Sequence, residues 1–384
     1  MFSLKFQKLL LFLYLSSSSG ALFYLGGTTS SAGYGQLRTI QSAVGLLLIL
    51  SIVFVGKFWS STVQKNSLGL LFILLASISL TWSDDLRTGV GIVALISLHF
   101  FVALLVSHKI SRARLFDLTA KAMFAFALLS QVAIYFELER TKVSIFRLES
   151  GRVDIPIGVF GWNSELGFAA SFSFCYFLHQ WIKTKAKFDL ALSTFSFWFL
   201  IASDSAGWLL SGVVCGLILI SRYWFKNQAI YFSLVIFSIG LSIPFSNIIA
   251  NFIARILGKS ETFTGRTGIW RIFLENQESQ FIGAGVSGNA NLALGFEHAH
   301  NGILQIYFCL GILGILIVLL LLGQALLFNF RLPRDDFGFP LLVSLIIANS
   351  FNNYLLSGHL LVFLLFYLIS SSKEESVGIQ REFD

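Results

Sequence analysis

The feature that most constrains this chain is the recurrence of apolar runs long enough to cross a bilayer. A helix needs about 20 mostly apolar residues to span the hydrocarbon core. Such runs recur at 8–25, 40–56, 67–82, 88–106, 122–138, 157–181, 188–203, 207–221, 229–249, 302–328, 338–353 and 356–371. Charged residues make up 12% of the 384, about half the share of an ordinary soluble domain. A chain with so little charge cannot cover its own surface in water, so a soluble enzyme is excluded. The expected class is an all-α polytopic membrane protein, one integral membrane domain over 1–384 with twelve spans. The run at 207–221 is short, which tilting or local thinning accommodates. Lys5 and Lys8 precede the first run, but no small-residue cleavage site follows, so it reads as a span rather than a removable signal. Cys175, Cys215 and Cys309 lie inside apolar runs without Cys-x-x-Cys spacing, which predicts neither disulfides nor a thiolate metal site.

Orientation follows from the basic residues. With the N-terminus inside, seventeen of the 27 Lys and Arg fall on inner segments, among them Lys109, Arg112, Lys121, Lys183, Lys187, Arg222 and Arg331. Short loops rich in Lys and Arg stay cytoplasmic, so both termini are expected there. The net charge of +7 is thus read as topology, with no nucleic acid as partner. Two expected outer segments run against this bias: 137–156 carries Arg140, Lys142, Arg147 and Arg152, and 248–301 carries Arg255, Lys259, Arg266 and Arg271. An anionic ligand such as a lipid diphosphate would use them. The alternative is a surface balanced by its own acids, Glu137, Glu139, Glu149, Glu261 and Glu275.

The segment 248–301 is too long for a bare connector. Thr264-Gly265-Arg266-Thr267 leads into a helical pattern over 268–277, with Ile269, Trp270 and Phe273 on one face. Arg271 and Glu275 are spaced to pair on the other face, so Arg271 reads equally as a surface ion pair. Arg266 stands at the helix start without such an acid. Its charge adds to the exposed N–H groups and the positive dipole end, which is unfavourable unless an anion is present. Arg266 is therefore the best candidate for holding phosphate. Gly283, Gly285 and Gly288 follow and read as turn residues more readily than as a phosphate loop.

Glu297-His298-Ala299-His300-Asn301-Gly302 comes directly before the tenth apolar run. A metal site there lacks a fourth ligand, and no metal or other cofactor is expected. At a helix N-terminus the protonated form of His300 is disfavoured by the dipole, while Glu297 favours it. A neutral imidazole near pH 7 suits general-base work. The alternative is an interfacial histidine without chemistry.

His300-Asn301, nine residues, Gly311, two residues and Gly314 form the pattern His-Asn-x9-Gly-x-x-Gly. This resembles the signature of the O-antigen ligase/polymerase superfamily, bacterial enzymes that transfer sugar chains from undecaprenyl diphosphate at the outer side of the inner membrane. TGRTGIW (264–270), LTWSDD (80–85) and GVFGWNSELG (158–167) are similar to further family stretches, in the family's order. Two positions depart from it: Ser164 stands where Asn is expected, and SDSAG (203–207) has Ala206 where a basic residue is usual. The resemblance implies a GT-C-like arrangement with a long periplasmic loop between spans nine and ten. It also implies an inverting, metal-free glycosyl transfer, either polymerising repeat units into O-antigen or exopolysaccharide or ligating the glycan to lipid A-core. His300 and Arg266 would be catalytic, as base and diphosphate stabiliser. Arg147, Arg152, Arg255, Arg271, Asn301, Glu297 and His298 would contact substrate. Gly311 and Gly314 are expected to let helices pack closely. The implied partners are the undecaprenyl-diphosphate-linked donor, a glycan or lipid A-core acceptor, membrane lipids and a chain-length regulator. The rival reading, a lipid-linked glycan flippase, would want ionisable residues along a mid-membrane cavity; here the charges concentrate in outer loops.

Overall fold

The structure is a computed structural model. It describes residues 4–18, 42–47, 66–136, 142–147, 151–156, 159–160, 163–224, 266–275, 280–287, 299–333, 335–352, 355–356 and 359–375. Its helices are α1 (Leu4–Ser18), α2 (Ser67–Ile78, tightening into a 3-10 turn at Ser79–Trp82), α3 (Leu86–Lys109), α4 (Arg112–Tyr135), α5 (Asn163–Thr184), α6 (Lys187–Ala202), α7 (Ala206–Trp224), α8 (Arg266–Glu275), α9 (Gly302–Arg331), α10 (Gly338–Asn349) and α11 (Leu360–Glu375). The run at 229–249 lies outside the described residues, and 40–56 is described only at 42–47, where it is helical. The run at 8–25 is described to Ser18 and is helical there, and each remaining run is helical over most of its described residues. Among the described residues four helices, α3, α4, α7 and α9, are long and apolar enough to cross a membrane. The expected short span is among them, because α7 extends beyond 207–221 at both ends.

The described fold is helical, with one small hairpin in an expected loop. Lys142–Arg147 (β1) and Gly151–Pro156 (β2) pair as an antiparallel hairpin between α4 and α5. Phe146 is opposite Arg152 and Arg147 opposite Gly151. Opposed residues share a face and successive residues alternate, so the Arg147 and Arg152 positions fall on opposite faces of this ribbon.

The basic connections expected on one side meet at one end of the bundle. Arg112, at the start of α4, is buried; it donates to Asn329 Oδ1 of α9 (2.5 Å) and Asp336 Oδ1 (3.0 Å). Lys183 of α5 pairs with Asp335 at 3.0 Å, and Arg222 of α7 donates to the Pro333 carbonyl at 3.4 Å. Phe337 fills the space beneath them, its ring edge-on to Phe116, Phe172 and Tyr176 and tilted against His179. Three helices thus grip the α9–α10 connection.

Helix α9 is broken. Gly311 has φ 62° and ψ −161°, a conformation open essentially to glycine alone. The break separates two pairs that an uninterrupted α-helix would hydrogen-bond, Phe308 with Ile312 and Cys309 with Leu313. Residues 280–285 take their place: Ala284 N–H donates to Phe308 O and Gly285 N–H to Cys309 O, both at 2.9 Å. Ile312 N–H donates to Gln280 O (2.9 Å) and Leu313 N–H to Phe281 O (3.5 Å). A Cβ on Gly283 would overlap the backbone of Cys309, and one on Gly311 the Phe281 carbonyl. Gly311 is therefore a site of backbone insertion, correcting its assignment to helix packing. Gly314 faces Leu310 and Ile306 of its own helix across the kink. Gly283 and Gly285 likewise do more than turn the chain, because their bare Cα atoms let it enter.

Two comparisons test these features by thermal unfolding of the purified protein in detergent. Gly311→Ala is expected to destabilise strongly, combining a disallowed backbone with an overlap. Gly323→Ala, in the same helix with open space at its Cβ, is expected to be neutral or to stabilise by up to about 1 kcal/mol through helix propensity. At the charged end, Asp336→Ala removes the carboxylate paired with a buried guanidinium and is expected to cost about 3–5 kcal/mol. Lys183→Ala breaks an exposed pair and is expected to cost under about 1 kcal/mol. The hydrogen bond from Lys183 holds the Asp335 carboxyl below its ordinary value. Its small contribution is present at neutral pH and lost as pH falls through that lowered value.

Candidate functional site

The sequence motifs converge at the opposite end, around the start of α9. Asn301 caps the helix, its Oδ1 accepting from the N–H groups of Ile303 (3.1 Å) and Leu304 (3.0 Å). This satisfies two of the orphan donors that every helix start presents. Asn301 was expected to touch substrate; here its carboxamide oxygen serves the helix. His300, just before the cap, is half-buried and has φ 49°, a left-handed conformation uncommon outside glycine.

Several contacts fix that turn. Ala299, fully buried, donates its N–H to Gln305 Oε1 at 2.8 Å, and Gln305 Nε2 reaches Cys309 Sγ at 3.3 Å. The Ala299 carbonyl accepts from Trp270 Nε1 at 2.8 Å. Trp270 belongs to α8, which begins at Arg266. Below it Ile269 and Phe273 are buried, and the Phe273 ring stands edge-on to Phe308 of α9, centroids 5.0 Å apart. The amphipathic face expected from sequence is thus the docking face, and the helix bearing Arg266 is fixed beside His300. Arg271 and Glu275 are both exposed, and no ion pair joins them, contrary to the spacing argument.

Downstream, the inserted segment is anchored to the WSDD turn. Val286 N–H donates to Ser79 Oγ and Ser287 N–H to Ser83 Oγ, each at 3.1 Å. Ser287 Oγ donates to the Asp85 carbonyl at 2.7 Å and also meets Ser83 Oγ. The Asp85 side chain caps α3, accepting from Thr88 N–H at 3.0 Å. Hydrogen bonding from Thr88, side chain first and backbone second, holds this carboxyl below its ordinary value. Asp85 is therefore a cap, and the LTWSDD stretch works as a clamp on Ser287.

The third group joins the start of α5 to the SDSAG turn. A Cβ on Gly167 would come within 2.7 Å of Ser205 Cβ, and one on Gly207 within 2.8 Å of Phe351 Cβ. Val159 N–H donates to Ser130 Oγ at 3.1 Å. Gly302 closes the ring, its Cα pressed against the buried Asn349 carboxamide at the end of α10. Gln305 and Asn349 are contributors that sequence reasoning passed over. The signals were there: Gln305 interrupts an apolar run, and Asn349-Ser350-Phe351-Asn352 breaks another just where a span was expected to continue. Of the expected substrate contacts, Arg255, Glu297 and His298 lie outside the described residues. Arg147 and Arg152 sit on the hairpin, and Arg271 on the outer face of α8.

Among known proteins, no family model matches the chain and no curated sequence does.

The Gly302–Asn349 contact makes a stability prediction. Gly302→Ala places a methyl on the carboxamide, and such overpacking typically costs about 1–3 kcal/mol. Asn349→Ala in the same chain removes the obstruction, so the double variant is expected to be more stable than Gly302→Ala alone. Melting temperatures of the two singles and the double check it.

Proposed function

We propose that this chain is an inverting membrane glycosyltransferase that polymerises undecaprenyl-diphosphate-linked oligosaccharide units into O-antigen or exopolysaccharide. The reading has it in the bacterial inner membrane with twelve spans, both termini cytoplasmic and the loop 248–301 periplasmic. One observation carries it: the helix that begins at Arg266 is fixed, through Trp270, to the carbonyl directly before His300. The helix whose first residue is Arg266 and the turn that holds His300 are thereby tied together by one hydrogen bond. The resemblance of both stretches to the O-antigen ligase/polymerase superfamily supplies the substrate class.

The chemistry asks two things of the protein. The acceptor hydroxyl attacks the anomeric carbon from the face opposite the diphosphate and loses its proton as the new C–O bond forms. His300 takes that proton. The bond from the anomeric carbon to the diphosphate oxygen breaks, and its electron pair leaves with undecaprenyl diphosphate. Arg266 meets the charge that builds there, since a guanidinium fork matches phosphate oxygens. In this reading Asn301 acts indirectly, holding the helix start from which His300 projects.

Purified protein with an undecaprenyl-diphosphate donor tests the assignment. His300→Ala is expected to lower turnover by about 10²–10⁴-fold with little change in donor affinity. Arg266→Ala is expected to weaken both affinity and turnover, and Arg266→Lys to restore them only in part. Arg271→Ala, on the exposed face, is expected to cost far less. Near-normal turnover in His300→Ala defeats the base assignment. Product found on lipid A-core instead of on a lengthening glycan makes the enzyme a ligase.

A further inference from the structure

The residues inserted at the Gly311 break leave a question that the proposed chemistry does not touch: what surrounds them. The two segments of α9, thirty residues in all, rise together about 45 Å at 1.5 Å per residue, enough for a whole bilayer with its headgroup layers. The break lies nine residues from the Gly302 start, about 14 Å along the first segment. Headgroup layers take up roughly 7 Å at each face, so for an α9 that enters the bilayer at Gly302 the break lies inside the hydrocarbon region. The segment 280–285 is hydrogen-bonded to the backbone on both sides of the break and shares its depth.

Its side chains agree with that placement. Phe281 is 65% exposed and Ile282 40% exposed. Leu274 of α8 is 55% exposed, whereas Ile269 and Phe273 face inward. In a water-facing loop three such side chains in nine residues would be a costly apolar patch. They continue instead a strip of exposed apolar residues on α9, Ile312, Leu313, Leu316 and Leu320. The backbone here is not regular helix, and irregular backbone survives at membrane depth only where protein satisfies its polar groups. The pairing with α9 satisfies the Gln280 and Phe281 carbonyls and the Ala284 and Gly285 N–H groups, and Ser79 and Ser83 satisfy the N–H groups of Val286 and Ser287.

We infer that residues 280–282, together with Leu274, form a re-entrant wedge whose partner is the acyl-chain region of the bilayer. The expected outer loop therefore dips back into the membrane immediately before the turn that carries His300. Arg271 and Glu275, exposed on α8 on either side of Leu274, set that helix at the interface, with Leu274 turned to the acyl chains and the charges to the headgroups. The inference rests on α9 crossing the bilayer and is independent of the glycosyl-transfer reading.

Spin labels decide it. Phe281→Cys, Leu274→Cys and Arg271→Cys are made separately in the full chain, labelled with a nitroxide and reconstituted in phosphatidylcholine vesicles. The three native cysteines are buried, and mock-labelled parent protein supplies the background. At 281 and 274, dissolved oxygen is expected to relax the label more strongly than a water-soluble nickel complex, with the reverse at 271. Nickel dominance at both 281 and 274 overturns the wedge, and so does shielding from both reagents, which would mean protein covers the segment. Should Phe281→Cys fail to fold, Ile282→Cys reports from the adjoining position with the same two outcomes.

Discussion

Everything that positions the His300 turn depends on how the backbone is hydrogen-bonded where α9 breaks. An apolar surrounding offers no water to an orphaned N–H or C=O, and each such group costs several kcal/mol. The chain meets this by splitting two helical pairs and handing all four groups to residues 280–285. The exchange has a geometric condition: two backbones must approach at hydrogen-bonding distance without side chains between them. Gly283, Gly285 and Gly311 meet it, all at positive φ. The far side of the inserted segment is held by serines of the preceding WSDD region. Pieces some 200 residues apart in sequence, from Ser83 to Ser287, become one rigid support under the start of α9.

The two ends of the bundle are built on different physics. At one end, Arg112, Lys183 and Arg222 reach from three helices to the connection between α9 and α10, with Phe337 packed among rings beneath. Charge there is paired locally and buried in part, an arrangement that fixes a connection in register. At the other end, contact is made by small residues and neutral polar groups: Gly302 on Asn349, Gly167 on Ser205, Trp270 on a carbonyl. Neutral hydrogen bonds position atoms there without adding charge.

The apolar runs were legible in the sequence because hydrocarbon thickness imposes a length and repels charge, but their ends were less so: α4 starts at Arg112 rather than 122 and α10 ends at Asn349 rather than 353. The docking face of α8 was legible too, since Ile269 and Phe273 repeat at helical spacing and both are buried. The hairpin at Lys142–Arg147 and Gly151–Pro156 was not, because loop charges masked its alternation. The break at Gly311 was hidden for a different reason. Its apolar flanks read as one continuous span, and nothing in HNGILQIYFCLGILG says which glycine faces a helix and which faces an inserted backbone. Only the partner segment, residues 280–285, resolves that, and the partner is distant in the reasoning even though it is near in sequence. Asn349 escaped for the same reason: its meaning lies in Gly302, across the bundle.

His300 shows what such a framework is for. A non-glycine residue at φ 49° carries strain on the order of 1–3 kcal/mol, which persists only where the surroundings over-determine it. Here the residue before it is held at both ends, its N–H by Gln305 and its carbonyl by Trp270. The residue after it is locked as a helix cap. A relaxed backbone at position 300 would have to surrender the cap, the Gln305 contact or the docking of α8. The backbone at position 300 is therefore fixed by three elements at once, and the one that supplies Trp270 begins at Arg266. In the proposed reading, a turn held this tightly gives the base a set direction.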